Sequence, residues 1–141
     1  MYLLDTDHMS LLQRGGEESN HILRHLRPLP QDDVAVTVVS FEEQTRGWLA
    51  RIGQQSVTAN QVRAYGELKR LLQSYCFITV MDFDDAAALQ FDQLRSQYRR
   101  HGTMDLKIAA VALAHNAILI TRNTRDFGAI ANLHIEDWSA G

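Results

Sequence analysis

The chain has 141 residues, 45% hydrophobic and 22% charged, which suits one ordinary domain spanning residues 1–141 and leaves no room for two. With 14 Lys and Arg against 17 Asp and Glu the net charge is −3, which excludes whole-molecule attraction to a polyanion but leaves room for a local basic patch. No apolar run approaches the roughly 20 residues of a membrane span, the opening MYLLDTDHMS does not read as a secretory signal, and the single Cys76 excludes an intramolecular disulfide, so a reduced cytoplasmic domain is expected.

Tyr2-Leu3-Leu4 reads as a buried strand that runs straight into Asp5-Thr6-Asp7, with Asp7 or Ser10 placed to cap a short helix. Ile22, Leu23 and Leu26 give Glu17–Leu26 helical spacing, and Pro28 and Pro30 end it. Val34 to Val39 is continuously apolar or β-branched, the pattern of a strand covered on both faces. Ser40 then reads as the cap of a helix from Phe41 to about Ile52, with Glu43 in the place of a capping-box acid. The spacing predicts a loop over residues 53–60, a long helix over Ala59–Ser74, and a strand over Phe77–Val80 beside a buried Cys76. Helices over Asp84–Arg99 and Thr103–His115 follow, then a buried strand over Ala117–Thr121 and a short last strand near Leu133–Ile135. Strands that alternate with helices predict an α/β sandwich: a mainly parallel sheet of four to five strands with helices on both faces. In such sheets ligands bind beyond the carboxyl ends of the strands.

That edge is where the acids fall. Asp5 follows the first strand and Asp126 the fourth, while Glu42-Glu43 and Asp105 lie near the starts of two helices. Singly, Glu43 and Asp105 are explained as readily by a favourable interaction with the helix dipole, worth about 0.3–1 kcal/mol. Together, carboxylates from four distant segments repel one another unless a cation lies between them, and all-oxygen donors suit Mg²⁺ or Mn²⁺. Glu43 shares a helix face with Gly47 and Ala50 and is favoured over Glu42, which lines up with Arg46 and Leu49.

The stretches LLDTDHMS, VTVVSFEEQTRG, MDLKIAAVALAHNAILITRNTRDF and LHIEDW, in that order, resemble the PIN-domain ribonucleases, and among them the VapC-type toxins of toxin–antitoxin modules. The resemblance implies a compact α/β/α fold and Mg²⁺- or Mn²⁺-dependent cleavage of RNA. It also implies a homodimer and a cognate antitoxin that reaches into the acidic pocket with a basic side chain. It places the family's acids at Asp5, Glu43 and Asp105, and the fourth position in Thr121-Arg-Asn123-Thr-Arg-Asp126, where either Asn123 or Asp126 supplies the group.

The expected chemistry is hydrolysis that leaves a 5′-phosphate, with Asp5 and Asp105 as metal ligands. Glu43 and Asp126 would hold a second ion or orient water, with Thr6, Ser10 and Thr121 supporting them. Arg14, Arg95, Arg99, Arg100, Lys107, Arg122 and Arg125 are the candidates for holding phosphate. Arg122 and Arg125, which flank the fourth position, and Arg99-Arg100, just before Gly102, are the best placed. His8 reads as a structural histidine. Two other readings compete. Asp5-Thr6-Asp7 could be the D-x-D of a haloacid-dehalogenase-like phosphatase, or the chain could be a catalytically silent PIN-like binding module.

Overall fold

The computed structural model describes residues 1–141. In chain order it contains β1 (Tyr2–Leu4), α1 (Thr6–Arg14), α2 (Glu17–Leu26), β2 (Val34–Thr37), α3 (Val38–Gln54) and α4 (Thr58–Tyr75). The chain continues with β3 (Thr79–Met81), α5 (Asp85–Gln97), α6 (Thr103–Ala114), β4 (Ile118–Ile120), α7 (Thr124–Gly128) and β5 (Ile135–Glu136). The five strands form one sheet in the order β3-β2-β1-β4-β5, and every pairing is parallel. No helix is long and apolar enough to cross a membrane.

Period-two alternation divides the sheet between two cores. Leu3, Ala35 and Leu119 pack on one face against α5, α6 and α7, whereas Leu4, Val34, Val36 and Ile120 pack on the other beneath α1, α2 and α4. Both faces are therefore covered, which is why these strands read as unbroken apolar runs. Helix α6 is apolar nearly all round, with Ile108 to Ala112 buried, because it lies inside the first layer. The chain turns from α1 into α2 through Gly15 and Gly16, at φ +76° and +99°, angles a side chain would strain.

After β1 the chain builds outward through β2 and β3, then crosses to the other side of β1 to form β4. The topological switch point is therefore between β1 and β4, which run side by side with Leu4 paired to Ile120. A crevice opens there beyond the strand ends.

Several local expectations are corrected by this fold. Asp5, rather than Asp7 or Ser10, caps α1: its side chain accepts from the His8 backbone N–H. β2 stops at Thr37, whose hydroxyl caps α3 at the Ser40 N–H, so Val38 and Val39 are helical and Ser40 is inside the first turn. A β-branched run is ambiguous between strand and helix, and the Thr37 cap settles it. With the cap there, Glu43 has no capping-box role. The loop expected over 53–60 contracts to the link between Gln54 and Thr58. Cys76 is exposed, and Phe77 is 80% exposed, because β3 starts only at Thr79. The last strand lies slightly later than expected, at Ile135–Glu136, and the short helix α7 had no anticipated counterpart.

Candidate active site

The crevice is a pocket of about 440 Å³ lined by Asp5, Thr6, Ser10, Glu43, Asp105 and Asn123, with Asp7, Arg122 and Phe127 completing it. Asp5 enters from the end of β1 and Asn123 from beyond β4, while Glu43 stands on α3 and Asp105 in the first turn of α6. Three of the four expected acids thus meet, although the chain separates them by dozens of residues.

Each carboxylate is held by the chain around it. Asp5 lines the pocket although it is only 4% exposed, and its Oδ1 accepts the His8 N–H at 2.7 Å, a bond that leaves Oδ2 without that partner. Glu43 Oε1 accepts the Thr6 hydroxyl at 2.6 Å, and Thr6 is in turn 2.9 Å from the buried Ser40 hydroxyl. Asp105 lies at a helix N-terminus, where the dipole favours its charge. Its pKa is nonetheless pushed up to about 6, first by burial and then by the charges of Glu43, Asp5 and Asp126, with His101 pulling the other way. Burial and the neighbouring acids together outweigh the dipole. Burial and Glu43 also push the Tyr75 phenol well above its ordinary range.

The fourth position is shared. Asn123 lines the pocket and caps α7, accepting the Asp126 N–H at 3.3 Å, and its amide donates to Asp126 Oδ2 at 3.2 Å. Asp126 is outside the lining but close enough to act on Asp105. Thr121 is fully buried and accepts the Asn123 N–H at 3.0 Å, so its hydroxyl shapes the turn and does not reach the pocket.

Of the arginines expected to hold phosphate, only Arg122 borders the pocket. Its guanidinium grips Asp7 at 2.6 and 3.1 Å and Glu18 at 2.6 Å. The hydrogen bond to Asp7 and the surrounding carboxylates keep it firmly charged. Arg99, Arg100 and Arg125 are exposed and lie outside the lining.

His8 proves more connected than a generic core histidine. It is fully buried, with Nδ1 3.3 Å from Asp5 Oδ1 and Nε2 accepting the Trp138 N–H at 3.3 Å. Asp137 Oδ1 is 3.5 Å from the same ring and is held below the usual carboxylate range. Burial raises the Asp137 pKa, but hydrogen bonds from Ser139 and the charges of His8 and Arg122 outweigh it. The LHIEDW ending thereby braces the Asp5 turn from behind, a link that no local pattern announced.

Asp5, Asp7 and His8 also bring one potential ligand atom each to within 4.8 Å of one another. Arg122 already neutralises Asp7, and His8 is sealed in the core, so this closeness belongs to the capped turn. Asp5, Glu43 and Asp105 line the pocket together. Carboxylate oxygens gathered in this way are the chemistry that suits a hard divalent cation.

A family model for the PIN domain matches residues 2–133. The chain belongs to the PIN domain family. The chain is similar to the tRNA(fMet)-specific endonuclease VapC of Shigella flexneri, 39% identical over 66 residues, covering 44% of this chain and 50% of that protein. The chain spans about half the length of that relative and of two further VapC proteins matched in the same way. Ribonuclease VapC1 of Haemophilus influenzae is 27% identical over 145 residues, covering 99% of this chain and 98% of that protein. Among solved structures, VapBC-1 from nontypeable Haemophilus influenzae superposes with a TM-score of 0.72 at 26% identity, covering 99% of this chain and 98% of the other.

Proposed function

We propose that this PIN domain is a Mg²⁺- or Mn²⁺-dependent endoribonuclease, the toxin of a type II toxin–antitoxin pair. The observation that carries this reading is the meeting of Asp5, Glu43 and Asp105 in one open pocket at the switch point, with Asp105 pushed up to about 6 by burial and by its acidic neighbours. RNA as substrate is supported by the ribonuclease names of the relatives, and a protein antitoxin by the paired VapBC structure. A homodimer in the cytoplasm is the accompanying expectation.

When bound, a divalent cation supplies water activation and offsets the charge that grows on the phosphodiester oxygens. Asp5 and Asp105 would hold it. Glu43, fixed by Thr6, would accept a hydrogen bond from the attacking water or help to hold a second ion. Asp126 would add negative charge near Asp105, and Asn123 lines the pocket with a neutral amide. The phosphatase reading loses support here, because the pocket is lined by no lysine.

The test uses wild type and Asp5→Asn on total and transfer RNA, with Mn²⁺ or Mg²⁺ and an EDTA control. Cleavage that needs the ion and disappears in the variant is the expected result. Two folded proteins that cut nothing would overturn the reading in favour of a silent binding module.

A further inference from the structure

A second concavity, a groove of about 950 Å³, runs between α3 and α4 and is continuous with the acidic pocket, sharing Thr6, Ser10 and Glu43 with it. Its charge is opposite in character. Arg14, Arg51, Arg63 and Arg70 line it, and the only carboxylates there are Glu43 at the pocket end and Glu67. Glu67 pairs with Arg70 at 3.4 Å, whereas Arg14, Arg51 and Arg63 take part in no ion pair. In a chain with a net charge of −3, unpaired arginines gathered along one groove mark a local site for anions.

We propose that this groove is the track along which single-stranded RNA enters the acidic pocket, an inference that rests on the nuclease reading. The arginines lie where phosphates of a strand reaching the pocket would pass, and Glu43 to Arg51 spans about 12 Å of helix axis, room for a few nucleotides. The Arg51 guanidinium lies over the Trp48 ring, 4.5 Å from its centroid, which holds a flat cation ready to stack on a base. Gln13 and Gln44 form the floor at the pocket end, bonded to each other at 2.9 Å and to Ser10, Ser74 and Tyr75. That network keeps this end of the groove polar. A duplex is disfavoured because stacking on Arg51 needs an unpaired base.

Binding of a short fluorescent single-stranded RNA is measured by anisotropy in EDTA, where the strand is not cut, across a series of salt concentrations. The double variant Arg14→Gln/Arg63→Gln is compared with wild type and with Arg95→Gln, which lies on α5 away from the groove. Loss of two phosphate contacts weakens binding by about tenfold or more and lowers the slope of log K against log salt by about 1.4. Trp48→Ala weakens binding while leaving the slope unchanged, because it removes stacking and not charge. A parallel cleavage assay in Mn²⁺ separates the two readings. If wild type cuts RNA while the double variant keeps wild-type affinity and slope, the track is overturned and the groove passes to a protein segment. If wild type cuts no RNA, the nuclease reading and the track fail together.

Discussion

The acidic pocket and the arginine groove share three residues yet are built by different means. The pocket is assembled from strand ends and helix starts, and Asp5, Thr37 and Ser40 beneath it are buried and bonded into place. The groove is assembled from long side chains projecting from α1, α3 and α4, most of them exposed and unpaired. Charges that must act on a reacting atom need fixed positions, because preorganisation is what lowers a barrier. Charges that only hold a strand work from flexible stems at little cost in precision. Substitutions should therefore have sharp effects in the pocket and graded ones in the groove.

The largest expected effect is that of Asp105→Asn, which lowers metal-dependent RNA cleavage by about 10²–10³-fold, the scale on which loss of one positioned group acts. The same variant has an opposite effect on the metal-free fold. Asp105 has its pKa raised from 3.8 to about 6, so the stability it contributes is complete below about 4 and is lost as pH rises through 6. At pH 7 the ionised acid is therefore a strain, and Asp105→Asn relieves ~1–2 kcal/mol of it once partial exposure to solvent is allowed for. Thermal melting in EDTA should show the variant more stable than wild type at pH 7 and equal to it near pH 4. A variant less stable at pH 7 would mean that neither burial nor the neighbouring acids penalise the ionised Asp105.

Proton competition gives the next effect. Below about 6 the proton on Asp105 displaces the cation, so apparent Mn²⁺ affinity falls by up to about tenfold per pH unit. Calorimetric titration at pH 5, 6 and 7 measures this, and a flat profile would remove Asp105 from the ligand set.

Thr6→Val tests the fixing of Glu43. It keeps the shape of the side chain but deletes the 2.6 Å hydrogen bond. Turnover should fall by about tenfold, since the net value of a hydrogen bond to a charged group is about 1.5–3 kcal/mol and part of it is recovered by water. Thr6→Ser should restore most of the rate.

Arg122→Gln is expected to have the smallest effect. Its partners Asp7 and Glu18 are 41% and 49% exposed, so the cost in stability is about 0.5–1 kcal/mol and shrinks with added salt. Melting temperatures at low and high salt check it. A large loss of RNA affinity in this variant would return Arg122 to the role of a phosphate contact and blur the division between pocket and groove.

Much of this architecture was legible in the residues. The alternation of apolar runs with helical stripes gave a parallel sheet covered on both sides, because burial on two faces leaves no polar positions in a strand. That Asp5, Glu43 and Asp105 converge on one edge was legible because a doubly wound sheet brings strand ends and helix starts to a common crevice. Boundaries were less so: Val38-Val39 read as strand until the Thr37 hydroxyl was seen to cap a helix there, and Cys76 read as core until β3 proved to begin beyond Phe77.

The sequence by itself determined the periodicity, the sheet type and the acids, since each depends on neighbours a few residues away. Only the tertiary structure decided which groups are free to act. Arg122 is bound to Asp7 across 115 positions, Glu43 is held by Thr6 across 37, and His8 meets Trp138 across 130. It likewise brought Arg14, Arg51 and Arg63 from three helices to one groove. Local patterns carry burial and helical phase, but the partner of a charge is set by which segments the folded sheet brings side by side.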